Sequence, residues 1–130
     1  MRLMGIDYGS KRVGIAVSDE AGQFALPYSV ISNSESHSDV LVDEIMKIAE
    51  ENGTKEVVMG ESRDYKGEAN KIMARSLELK KHLESAGLVV YLEPEFMTSV
   101  QAERFQGKNA KSDSSAAALI LQAYLDKRKI

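Results

Sequence analysis

The chain has 130 residues, 43% of them apolar and 28% charged, with a net charge of −3. That length suits one compact domain spanning 1–130, and the balance is that of a soluble globular protein with a real core. Cysteine is absent and only His37 and His82 represent histidine, which excludes disulfides and thiolate metal sites and disfavours a histidine-rich zinc centre. Any metal therefore has to be held by carboxylates, which points to Mg²⁺ or Mn²⁺. The apolar run Met1–Ile6 is too short for a signal peptide or a membrane span. The expectation is a cytoplasmic protein with no membrane partner. A slightly negative total does not advertise a nucleic-acid binder, yet a global count averages away a basic rim around an acidic centre.

Three strands are expected first. Arg2–Tyr8 is a nearly continuous apolar run, as in a strand buried on both faces. Gly9-Ser10-Lys11 reads as a tight turn. Arg12–Ser18 alternates, with Val13, Ile15 and Val17 on one face and the small Gly14, Ala16 and Ser18 on the other. After Ala21-Gly22, Phe24–Ile31 is the third strand, and the short turns imply an antiparallel meander. The period then becomes helical over Ser38–Asn52, with Val42, Ile45, Met46 and Ala49 on one side. Glu56–Gly60 is a short buried strand. Glu68–Ala86 is a second helix, with Ile72, Ser76, Leu79 and Leu83 in one stripe, and Leu88–Leu92 is a fifth strand.

Thr98 with Gln101 resembles a capping box opening a short helix. Gln106–Lys111 reads as a basic loop. Ser112 is expected to cap a last helix that buries Ala116, Leu119, Ile120, Ala123 and Tyr124. The order β-β-β-α-β-α-β-α-α predicts an α/β fold: a mixed five-stranded sheet, three antiparallel strands followed by βαβ crossovers, flanked by helices. That is the outline of the ribonuclease H-like architecture.

Several carboxylates fall where chemistry is plausible. Asp7 closes the first strand, and in open α/β sheets ligands collect at the carboxyl ends of strands. The alternative is a turn-forming aspartate. Glu93 and Glu95 follow the fifth strand around Pro94, either as site residues or as solvated strand-end groups. Asp113, in the first turn of the last helix, either joins a site or compensates the helix dipole. Glu61 ends the fourth strand. Carboxylates sharing a cleft repel unless cations lie between them, and two divalent ions about 4 Å apart would stabilise such a cluster.

Gly5-Ile6-Asp7-Tyr8-Gly9-Ser10-Lys11-Arg12-Val13-Gly14-Ile15-Ala16-Val17-Ser18-Asp19 closely resembles the opening motif of the YqgF family. These are bacterial ribonuclease H-like proteins described as Holliday-junction resolvases and pre-16S ribosomal RNA nucleases. Val57-Val58-Met59-Gly60 with Gly67 resembles the family's fourth strand and glycine loop. Glu95 followed by Thr98-Ser99 resembles its second acidic motif. Lys111-Ser112-Asp113 with Ala116-Ala117 and Ile120–Leu125 resembles its C-terminal signature. Where the family usually has Asp-Glu-Arg, this chain has Pro94-Glu95-Phe96. The resemblance implies that Asp7, Glu95 and Asp113 are catalytic and hold the metal, a two-ion Mg²⁺ or Mn²⁺ site.

Lys11, Arg12, Lys108 and Lys111, with Arg63 and Lys66, are candidates to position a phosphate backbone. Each is otherwise an ordinary surface cation. Tyr8 either stacks on a base or forms a buried wall. The leading expectation is a metal-dependent nuclease, monomeric or homodimeric, acting on structured RNA at the 5′ end of 16S ribosomal RNA precursor. A Holliday-junction DNA resolvase would use the same chemistry. A non-catalytic nucleic-acid-binding module is a third reading. An ATPase of the actin or Hsp70 kind shares the Asp-x-Gly turn, but it needs a second phosphate loop and more chain.

Overall fold

The computed structural model describes residues 1–34, 38–62, 68–95 and 110–128, and for 38, 62, 68–70, 95 and 110–113 it describes the backbone alone. Five strands, β1 (Leu3–Tyr8), β2 (Arg12–Ser18), β3 (Ala25–Ser32), β4 (Glu56–Ser62) and β5 (Val89–Glu95), form one sheet in the order β3-β2-β1-β4-β5. β1, β2 and β3 pair antiparallel, whereas β4 and β5 run parallel to β1. The helices among the described residues are α1 (Ser38–Glu51), α2 (Glu68–Ser85) and α3 (Ala110–Arg128). Mixed pairing follows from the connections: short turns join the first three strands, and the parallel strands are reached by helical crossovers.

Period-two alternation sends each strand's side chains to two cores. One face carries Met4, Ile6, Val13, Ile15, Val57, Met59 and Val90 against Leu41, Ile45 and Ala49 of α1 and Leu79 and Leu83 of α2. The other carries Leu3, Ala16 and Val58 against Ala117, Ile120, Leu121 and Leu125 of α3. The small residues of β2 thus face α3. Gly5 shows why small residues are needed there: a Cβ on it would lie 2.8 Å from both the Ala117 carbonyl oxygen and the Leu121 Cβ. Backbone of β1 and backbone of α3 touch without a spacer.

The expected elements that fall among the described residues are present, with three corrections. β5 runs on through Glu95, so Glu93 and Glu95 belong to the strand rather than following it. Pro94 is tolerated because β5 is an edge strand. α3 starts at Ala110, which puts Ser112 inside the helix and removes it as a cap. The buried stripe of α3 is also rotated. Leu119 is 47% exposed and Ala123 faces solvent, whereas Ala117, Leu121 and Leu125 are buried. Contact with Gly5 fixes that rotation. The expected helix near Thr98 and Gln101 lies outside the described residues.

Candidate active site

Asp7 is half-buried near the carboxyl end of β1. Leu3 and Gly5, four and two residues earlier, face α3, so alternation directs Asp7 to that face as well. Its antiparallel partner on β2 is Gly14. On the other side, Ile6 pairs with Met59, and the next step of that register sets Gly60 beside Asp7. Both strands flanking the carboxylate therefore present glycine at its level. At that level the register of the described strands sets no β-carbon beside the carboxylate within the sheet.

The turn beyond Asp7 is held from outside. A Cβ on Gly9 would lie 2.6 Å from the Arg12 carbonyl oxygen, so only glycine lets the chain reverse this tightly. Asn33, just past β3, donates its side-chain amide to the Gly9 carbonyl at 2.7 Å, and its backbone N–H donates to Lys11 at 2.8 Å. Lys11 is exposed and Arg12 half-buried on this turn, a cationic rim close to Asp7. Sequence reasoning overlooked Asn33; an Asn just after a strand, with nothing of its own to cap, was the available signal.

Glu93 pairs with Gly60 across β4 and β5, so it shares the transverse row of Asp7. It is only 4% exposed, and its carboxylate accepts from the Lys127 ammonium at the end of α3. Two residues back, Tyr91 stacks on Tyr124 of α3 at 5.2 Å between ring centroids. Its hydroxyl donates to Glu56 at 2.9 Å, and Glu56 holds that phenol above its ordinary pKa. Glu93 is thus engaged in anchoring α3 rather than solvated. Glu95 is the last residue of β5 and pairs with Ser62; its side chain lies outside the described residues.

Asp113 stands in the first turn of α3, and its side chain is likewise outside the described residues. The helix runs antiparallel to β1. Leu125 packs with Leu3, and Leu121 and Ala117 lie against Gly5. One helical turn advances about 5.4 Å and two strand residues about 6.6 Å, so the turn containing position 113 falls in step with Asp7. Lys111 occupies the same turn by backbone alone, and Lys108, Arg63 and Lys66 lie outside the described residues. Glu61 differs from Asp7: Val57 and Met59, which share its parity, belong to the core under α1 and α2. Among the described residues no group of three His, Asp or Glu side chains could hold a metal. No helix among them is long and apolar enough to cross a membrane.

Residues 1–127 match the model of the RuvX family, described as Holliday junction resolvase. The chain belongs to the RuvX family. The resemblance carried by the opening and closing motifs is thereby borne out. Relatives with the name "Putative pre-16S rRNA nuclease" include one from Lactobacillus delbrueckii subsp. bulgaricus, 34% identical over 97% of this chain and 96% of its own. Another, from Listeria innocua, is 35% identical over 97% of this chain and 98% of its own. Among solved structures, Thermus thermophilus RuvC in complex with a Holliday junction substrate superposes with a TM-score of 0.68 at 15% identity, covering 99% of this chain and 96% of that one. The fowlpox virus Holliday junction resolvase gives a TM-score of 0.59 at 13% identity, covering 98% and 99%. At such identities the likeness speaks for the fold, and it is the expected α/β, ribonuclease H-like one.

Proposed function

We propose that this RuvX-family chain is a metal-dependent nuclease that hydrolyses phosphodiester bonds, acting in the cytoplasm on the 5′ region of 16S ribosomal RNA precursor. The observation that carries the reading is Asp7: a half-buried carboxylate near a strand's carboxyl end, between Gly14 and the register position of Gly60, on the face covered by α3. Asp113 in the first turn of α3 and Glu95 at the end of β5 are its proposed partners. The donor set is all oxygen, which suits Mg²⁺ or Mn²⁺ rather than zinc or copper. Bound there, such ions supply a polarised water and charge stabilisation for the leaving oxygen. The chain's own part is to hold the carboxylates apart without collapse and to orient the phosphate by Lys11 and Arg12 beside Asp7, with Lys108 and Lys111 as further contacts.

A transcript carrying the 5′ leader of 16S RNA, incubated with the protein and Mg²⁺ or Mn²⁺, should be shortened at that leader. Asp7→Asn should abolish the cut. Binding without cleavage by the wild-type chain would instead favour a non-catalytic module. The family's description favours a second substrate, the four-way DNA junction, and parallel assays on a synthetic junction separate the two.

A further inference from the structure

Asp7 and Tyr8 are consecutive in β1, so their side chains leave opposite faces of the sheet. Tyr8 borders a cleft of about 100 Å³ between α1 and α2, lined also by Ser34, Arg75, Glu78, Leu79 and His82. The Arg75 guanidinium lies over the Tyr8 ring, 5.8 Å from its centroid. Tyr8 and Arg75 are half-buried, whereas Glu78 and His82 are exposed. We infer that this cleft is a subsite for one unpaired pyrimidine base of the nucleic-acid strand whose phosphate is presented to Asp7, an inference that rests on the nuclease reading for the identity of that strand.

Three observations define the ligand. An aromatic ring and a guanidinium plane are the surfaces on which bases stack. Polar groups of both kinds line the same space: Glu78 accepts hydrogen bonds, Arg75 donates them, and Ser34 and His82 do either. A pyrimidine edge offers donors and acceptors side by side. The Glu78 carboxylate also argues against a bare phosphate, which it would repel. The size is that of a single ring, well below the roughly 300–1,000 Å³ of pockets that take whole drug-sized ligands. A strand draped over the end of β1 would thus set a phosphate on one face and an adjacent base on the other.

The test uses the full chain carrying Asp7→Asn, which removes cleavage and leaves the cleft intact. A single-stranded RNA decamer with 4-thiouridine at one position is bound, irradiated and digested, and the adducts are mapped by mass spectrometry. Adducts on Tyr8 or within 75–82 are expected. In fluorescence anisotropy, Arg75→Lys and Tyr8→Leu should each weaken binding of a pyrimidine oligonucleotide by about tenfold, the usual effect of losing one stacking partner. Arg75→Lys keeps the charge and loses the plane, so unchanged affinity there would reduce Arg75 to a phosphate contact and overturn the inference. So would adducts confined to other segments, no binding of the decamer, or binding of free uridine monophosphate as tight as that of the oligonucleotide. Leader cleavage by the wild-type protein is measured alongside. If it occurs while the cleft variants bind normally, the subsite fails and the nuclease reading stands. If it does not occur while adducts map to the cleft, the reverse holds.

Discussion

The side-chain amide of Asn33 donates to the carbonyl of Gly9 at 2.7 Å, two residues beyond Asp7. One polar side chain from the end of β3 therefore fixes the turn on which the proposed cationic rim is mounted. Asn33→Ala should cost about 1 kcal/mol of stability, the usual worth of such a bond. Leader cleavage should fall several-fold more than the fraction of folded protein does. Thermal unfolding monitored by circular dichroism, together with initial cleavage rates, checks both. Equal losses in the two would mean that the turn has no bearing on Asp7.

Gly5 sits where β1 and α3 touch, with no space for a methyl group. Gly5→Ala should destabilise the fold by about 1–3 kcal/mol through overpacking, lowering the unfolding midpoint by several degrees. Because the first turn of α3 is carried on the same helix, activity at a temperature where the variant is fully folded should also drop. A variant with unaltered midpoint and rate would contradict the close contact.

Lys127 and Glu93 form a pair in which the lysine is mostly exposed and the carboxylate is buried. Lys127→Met leaves that carboxylate without its cation and should cost about 1–3 kcal/mol. Adding Glu93→Gln should restore part of the loss. A chemical-denaturation cycle of the two single variants and the double variant reads the coupling, and strict additivity would show that the pair is idle.

Asp19 accepts backbone N–H bonds from Gln23 at 2.8 Å and Phe24 at 3.1 Å, and these hold its pKa below the ordinary 3.8. A carboxyl whose folded pKa is depressed contributes stability that is fully present above the unfolded value and is lost as pH falls through the folded one. The midpoint gap between wild type and Asp19→Ala should therefore stay constant from about pH 7 to about pH 5 and narrow below about pH 4. A gap unchanged at strongly acid pH would assign the effect to something other than the carboxylate.

The sheet was legible in the sequence because its signals are local. The apolar run of β1 and the alternation of β2, big on one side and small on the other, both survive in the structure. What escaped was set by partners distant in sequence. The rotation of α3 depends on Gly5 and not on the helix's own periodicity, so Leu119 read as core and is exposed. Glu93 read as either a site residue or a solvated end group, because nothing near it in the chain announces Lys127, which comes 34 residues later. Of the proposed site, the place of Asp7 near a strand end was visible in the sequence. The glycines on either side of it acquire meaning only through strand register.

The grip of α3 also bears on timing. Asp7 lies near the start of the chain and Asp113 on its last helix, which is anchored to the sheet through Gly5, Tyr91 and Glu93. A nascent chain that has emerged only as far as β5 carries Asp7 with no helix over its face. If the proposed site is the working one, hydrolysis waits for the final helix to leave the ribosome, and truncated products that lack it are harmless to RNA.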